Sequence, residues 1–257
     1  MNPLLLFKYF AKAALLRTPY EFSRRKQRNT LPSSTFENII VALAYYGAVK
    51  QPPAFVQVGA CDGVSGDSVH RFVKRGCMKA LLVEPMKIPF DKLRQTYEGV
   101  PNVTLLQTAI GKQDGEVVMY KAKNEEDSIV IKHGKSIDAF SLRQLASFQK
   151  AHLIKHGLPE GEIEAVKVPC LTLSSLMTRC GFNRIDVLSV DTEGFDADIV
   201  EMALQLPEVP ECINFENIHL KPETVPNLFN MLRENGYVWT HDNWNTMALH
   251  AKLLQRW

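Results

Sequence analysis

Asp191, Glu193 and Gly194 close one short apolar run, Ile185 to Val190, while Glu216, Asn217 and His219 close another, Cys212 to Phe215. Two carboxylates delivered by neighbouring strand ends, Asp191 and Glu216, could serve as a general base and its orienting partner. They could instead hold a Mg2+-type cation, whose hard charge prefers oxygen donors, with Asn217 as a third ligand. Asp191 has a third reading as a helix N-cap, and Glu193 at a helix start would complement the helix dipole. His219 is the alternative base, because an imidazole with an ordinary pKa of about 6.5 suits neutral pH; its other reading is a surface histidine beside Lys221-Pro222. His152 and His156 have HxxxH spacing, but HLIKH lacks the glutamate of HExxH and is expected to be a solvated helix face. His241, Asp242 and Asn245 fall between the last two strand-like runs, where they could close a pocket, and His133 is a lid candidate.

A second group lies upstream. Gly59-Ala60-Cys61-Asp62-Gly63-Val64-Ser65-Gly66 follows the apolar run AFVQV, and glycines at 59 and 63 let the backbone turn sharply and approach a ligand. The spacing is GxxxGxxG rather than the GxGxxG of dinucleotide sites, which suits a nucleoside ligand without a pyrophosphate. Glu84 ends the next apolar run, ALLVE, at an offset close to the roughly 20 residues of ribose-binding acids in such folds. A carboxylate there can accept hydrogen bonds from both ribose hydroxyls, and Pro85 stops the strand. Thr108-Ala109-Ile110, ending a third run, are small and apolar enough to line an adenine slot. Gln57, Gly59, Ala60, Asp62, Gly63, Glu84, Pro85, Thr108, Ala109, Ile110 and Asp191 are the expected cofactor contacts.

The elements that must position these residues alternate. Strands are expected at Ala54 to Gly59, Ala80 to Glu84, Val103 to Ile110, Ile185 to Val190 and Cys212 to Phe215, with helices at Ser68 to Arg75, Phe90 to Tyr97, Leu171 to Thr178, Asp196 to Leu204 and Val225 to Asn235. That rhythm is the signature of a parallel sheet with crossover helices. Glu116 to Lys121 reads as a short pairing strand after the Asp114-Gly115 turn. Tyr237 to Thr240 and Thr246 to His250 read as an antiparallel pair. Residues 122–165 break the rhythm. They are polar, with one expected helix, Ser136 to His156, and an excursion of that length reads as a lid or cap.

Composition sets outer bounds. With 46% hydrophobic and 23% charged residues the chain can build a sizeable core. A net charge of +2 gives no dense basic stripe, which argues against nucleic acid as partner. Five scattered cysteines without CxxC spacing read as reduced thiols in a cytoplasmic protein. Residues 1–50 are expected to form an N-terminal helical segment, with Phe36 to Ala48 amphipathic. Lys8, Lys12, Arg17, Arg24, Arg25, Lys26 and Arg28 leave a second reading beside plain packing, a peripheral contact with an anionic membrane surface. No stretch approaches the roughly 20 apolar residues of a membrane span.

FVQVGACDG, LLVEP, VTLLQTAIGKQDGEVVMY, IDVLSVDTEGFDADIV and INFENIHL follow one another in the order of the FkbM-type methyltransferases, and the chain resembles that family from about residue 54 to 250. The resemblance implies a Rossmann-like methyltransferase fold over residues 51–257: a mostly parallel seven-stranded sheet with an antiparallel last strand, flanking helices and a helical insertion at 122–165. It implies S-adenosylmethionine as cofactor and O-methylation of a hydroxyl on a sugar, glycan or related metabolite, with Mg2+ left open. Two departures stand out: Gln57 where the family often has an acid, and Cys61 where it commonly has Asn. A nicotinamide-dependent oxidoreductase and a non-catalytic binding protein on the same fold are the rival readings. The first lacks GxGxxG, and the second has only Gln57 in its favour.

Overall fold

The computed structural model describes residues 52–255 apart from Gly66, Ser68, 126–128, 131–135 and Asp242. The N-terminal segment with its membrane reading, the helix expected at Phe36 to Ala48, His133 and Asp242 lie outside the described residues.

Runs of valine, leucine and phenylalanine become the strands, and the amphipathic stretches between them the crossovers. β1 (Ala54–Val58), α1 (His70–Lys74), β2 (Lys79–Val83), α2 (Lys87–Thr96) and β3 (Val103–Leu106) make the first half of the sheet. An excursion follows, with β4 (Ala109–Ile110), β5 (Gly115–Ala122), β6 (Ile129–Val130), β7 (Ser136–Ile137), α3 (Ala139–Gln144), α4 (Lys150–Lys155) and β8 (Ile163–Leu171). The second half runs α5 (Leu173–Cys180), β9 (Val187–Val190), α6 (Asp196–Leu204), β10 (Cys212–Glu216) and α7 (Val225–Glu234). It closes on β11 (Tyr237–His241), β12 (Asn245–His250) and α8 (Ala251–Gln255).

The main sheet has seven strands in the order β11-β12-β10-β9-β1-β2-β3. β1 pairs in parallel with β2 and β9, and β9 with β10, while β12 runs antiparallel between β10 and β11. The expected mostly parallel sheet with a reversed last strand is therefore present. From β1 the chain builds outward through β2 and β3, then returns to add β9 and β10 on the other side. The direction of building reverses between β1 and β9, and ligands of open α/β sheets bind at that point, outside the carboxyl ends of the strands.

The central strands bury both faces, β1 along its whole length. Val56 and Val58 of β1 pack with Leu176 of α5, Ile199 of α6 and Leu228 of α7, whereas Phe55 packs on the opposite face with Phe72 of α1 and Leu93 of α2. Local signals fix the crossovers. Thr172 Oγ1 accepts from Ser175 N at 3.1 Å to start α5, and Gly181, with φ +67°, ends it.

The excursion departs from expectation in three places. The expected third strand divides: β3 stays in the main sheet and β4 leaves it to pair with β8. β8 itself had not been expected; its Ile163, Val168 and Cys170 are buried and Glu164 and Lys167 stay outward, in full antiparallel register with β5. The single helix expected over Ser136 to His156 becomes β7, α3 and α4. It breaks because Ser147 exchanges backbone hydrogen bonds with Tyr120 of β5, at 2.8 and 3.0 Å, instead of continuing the helical ladder. The excursion has its own small core of Ala122, Leu142, Leu145, Leu153, Leu158 and Ile163.

Candidate functional site

A cavity of about 260 Å³ opens at the carboxyl ends of β1, β2 and β9, where the sheet reverses. Its floor is Val58, Gly59, Cys61, Glu84, Pro85, Thr108, Ala109 and Ile110, its far wall Asp191, Thr192, Glu193 and Glu216, and its roof Arg143, Gln144, Ala146 and Phe148 from the excursion. Four residues of the 122–165 excursion thus line the cavity. Phe148 also packs against Phe195 with the rings tilted at 58° and their centres 4.7 Å apart, and Ser147 Oγ donates to the Glu193 carbonyl at 2.8 Å.

Gly59 is glycine for a specific reason. Its φ is +83°, and a Cβ there would stand 1.7 Å from the Asp191 carbonyl oxygen, so the first and fourth parallel segments can meet only over a bare backbone. Gly63 serves packing instead: a Cβ would strike Leu93 and Tyr97, and the residue does not line the cavity. Asp62 also stays off the wall and shapes the turn by accepting from Val64 N, Ser65 N and Ser65 Oγ. Ala60 and Gln57 are buried beneath the floor, Gln57 in the middle of β1. Of the expected cofactor contacts, then, Gly59, Glu84, Pro85, Thr108, Ala109, Ile110 and Asp191 border the cavity, and Gln57, Ala60, Asp62 and Gly63 do not.

Glu84 is buried at the end of β2. Its Oε2 accepts from Cys61 N at 3.0 Å and its Oε1 from Met86 N at 2.8 Å, which fixes the carboxyl and leaves a lone pair on each oxygen. Burial pushes its pKa up to about 7, and Glu125 and Asp191 add to the rise. Cys61, a floor residue the sequence reading passed over as a contact, has φ +47°, and burial raises its thiol to about 12.

Asp191 does not cap α6. The N-cap of α6 is Phe195, which makes no side-chain cap hydrogen bond. Asp196, in the first turn, accepts from Thr192 N, Thr192 Oγ1 and Gly194 N and so fixes the preceding turn, while Asp191 faces the cavity. Water reaches Asp191 through the cavity while protein surrounds it elsewhere, and desolvation together with Asp196 and Glu193 raises its carboxyl pKa. Glu216 is more enclosed. Burial, with Asp191, Glu193 and Asp196 nearby, raises it to about 9.

One expectation is overturned here, and one of the two readings of His219 falls away. HLIKH is not a solvated face. His152 is 9% exposed, and its Nε2 stands 2.8 Å from Glu193 Oε2. His219 is not a surface histidine: its side chain is 9% exposed, with Nε2 3.3 Å from Glu193 Oε2 and 3.7 Å from Glu216 Oε2. It does not line the cavity and meets it through those two carboxylates. Burial lowers the His219 and His156 pKa values. Of the oxygen-rich set of Asp191, Glu216 and Asn217, the first two line the cavity and Asn217 turns its amide to Thr246 Oγ1 at 3.3 Å. His241 is exposed, and neither it nor Asn245 borders the cavity.

The family model described as the methyltransferase FkbM domain matches residues 57–238. No curated protein matches the chain. Among solved structures, the methyltransferase FkbM from Methylobacillus flagellatus KT is 13% identical with a TM-score of 0.43, over 93% of this chain and 60% of that one. The METTL16 MTase domain is 10% identical with a TM-score of 0.46, over 86% of this chain and 70% of that one. The precorrin-6y C5,15-methyltransferase from Geobacter metallireducens GS-15 is 10% identical with a TM-score of 0.37, over 83% and 87%. The architecture itself rests on the strand order.

Proposed function

The chain belongs to the FkbM methyltransferase family, and on that premise we propose that it binds S-adenosylmethionine and methylates a hydroxyl of a sugar, glycan or related metabolite. The observation that carries the reading is the buried Glu84 carboxyl, held by two backbone N–H groups at the end of β2 in the same cavity as Gly59 and Asp191.

The residues present fit the cofactor. Glu84 has acceptor capacity for two ribose hydroxyls. Thr108, Ala109 and Ile110 supply a small apolar slot for adenine, and the bare backbone at Gly59 leaves room for the amino-acid tail. Asp191 and Glu193 give the far wall carboxyl groups that suit a ligand carrying a sulfonium cation. When bound, that cofactor supplies an activated methyl group on sulfur.

The chain's own work is then positioning and proton handling. The roof residues Arg143, Gln144 and Phe148 and the far wall hold the acceptor oxygen in line, which can contribute several kcal/mol. As the acceptor oxygen gains the methyl group it loses its proton, and Asp191 is the cavity residue best placed to take it. Its pKa, raised to about 7, makes it a stronger base than an ordinary carboxylate and leaves about half of it ionised at neutral pH. Glu216 beside it orients the acceptor through a hydrogen bond donated by its protonated form.

Radiolabelled methyl transfer to a panel of hydroxylated sugars and metabolites tests this. An alkali-stable methyl ether is expected, formed about 10²–10⁴-fold more slowly by Asp191→Asn. Transfer only to nitrogen or carbon, or an Asp191→Asn enzyme of full rate, would contradict it.

A further inference from the structure

Behind the far wall, three segments distant in sequence bring their polar ends to one point. α4 contributes His152, the residue after it is His156, the turn after β9 contributes Glu193, and the segment after β10 contributes His219. One ligand atom from each lies within 4.8 Å of every other. The rings crowd together, with centres 4.5 Å apart for His152 and His156, 4.5 Å for His152 and His219, and 5.4 Å for His156 and His219.

Proximity here is not hydrogen bonding. Among the described residues, His152 Nε2, His156 Nε2 and Glu193 Oε2 are buried atoms without a hydrogen-bond partner, although Glu193 Oε2 stands 2.8 Å from His152 Nε2 and 3.3 Å from His219 Nε2. Buried polar atoms left unpaired are costly and call for an explanation. Atoms that aim at a shared centre rather than at each other have the geometry of ligands around an ion. In a tetrahedral zinc site with bonds of about 2.0–2.1 Å, neighbouring ligand atoms stand roughly 3.3–3.4 Å apart. The 3.3 Å separation of His219 Nε2 from Glu193 Oε2 matches that value, the 2.8 Å separation of His152 Nε2 falls below it, and every ligand-atom separation lies within 4.8 Å. The backbone is arranged for it as well. Glu193 is held in the left-handed region, φ +53°, and Ser147 Oγ binds its carbonyl at 2.8 Å.

We propose that His152, His156, His219 and Glu193 bind a divalent transition-metal ion of the zinc class. Three imidazoles and one carboxylate suit zinc and its first-row neighbours, whereas magnesium takes oxygen ligands. Four protein ligands fill a tetrahedral shell, which marks a structural ion. The ion ties α4 of the excursion to the turns after β9 and β10, and so fastens the roof over the cavity through Glu193, which lines it. The site stands independently of the methyl-transfer reading.

The test uses the full chain, stripped with a chelator and titrated with Co2+, then with Zn2+ in competition and Mg2+ as control. One Co2+ per chain is expected, with the visible bands of a tetrahedral nitrogen–oxygen site, no thiolate charge-transfer band, displacement by Zn2+ and a melting temperature several degrees higher with metal. His152→Gln and His219→Gln should weaken binding by more than the roughly 10–100-fold of changes to residues behind a ligand. His156→Gln, a substitution at a less buried position, should weaken it in a chain that still folds. Absent bands in the wild type, Mg2+ binding as tight as Zn2+, a thiolate band, or unchanged Zn2+ affinity in the variants would overturn the proposal. S-adenosylhomocysteine binding in the same samples reports separately on the cavity.

Discussion

Cys61 and Glu84 show how single residues set the character of the cavity floor. The Cys61 amide is spent on Glu84, and that contact needs a left-handed backbone, φ +47°, which asparagine tolerates better than cysteine. The family resemblance has Asn at this position, and the conformation explains why. Cys61→Asn should therefore raise stability by about 0.5–1 kcal/mol in urea unfolding; an equal or lower midpoint would mean the strain is relieved some other way. Glu84 titrates with a definite sign. Its carboxyl pKa is about 7 when folded against an ordinary 4.5, so the unfolded chain releases the proton first as pH rises. Stability contributed by this proton is complete below about 4.5 and lost as pH passes through 7, a span of about 3 kcal/mol. Measured against Glu84→Gln, the wild type should lose stability between pH 4.5 and 7 and run parallel above pH 8. Parallel curves throughout would show that Glu84 is not held in its protonated form.

At the scale of elements, the parallel half was legible because each strand is an apolar run ending in a turn residue and each crossover an amphipathic stretch. Gly59, Glu84 and Asp191 were legible for the same reason: they sit at strand ends, where the fold itself aims them at the cavity. The excursion was not, because its order comes from partners rather than from its own periodicity. β8 alternates only loosely and carries Pro169, and α3 and α4 separate because Ser147 pairs with Tyr120. The histidine cluster was illegible for a related reason. HLIKH looks solvated until the fold sets His219 and Glu193 against it. Leu153, fully buried in the excursion's own core, tests how separate that unit is. Leu153→Ala should cost about 2–5 kcal/mol and speed amide exchange in α3 and α4 more than in β1 and β9. Uniform acceleration would instead make the excursion part of one cooperative unit.

For the whole molecule, the main sheet provides a rigid reversal point between β1 and β9, and the excursion folds over it as a roof. Among the described residues no helix is long and apolar enough to cross a membrane. The account's central claim is that the reversal point holds an adenosyl ligand through Glu84. Calorimetric titration of the full chain with S-adenosylhomocysteine, with NADH as control and Glu84→Ala as the second sample, tests it most directly. The account predicts one adenosyl ligand per chain, no NADH binding, and a loss of about 0.5–1.5 kcal/mol per hydrogen bond removed in Glu84→Ala. No binding to a folded wild type, or equal binding to the Glu84→Ala chain, would contradict it.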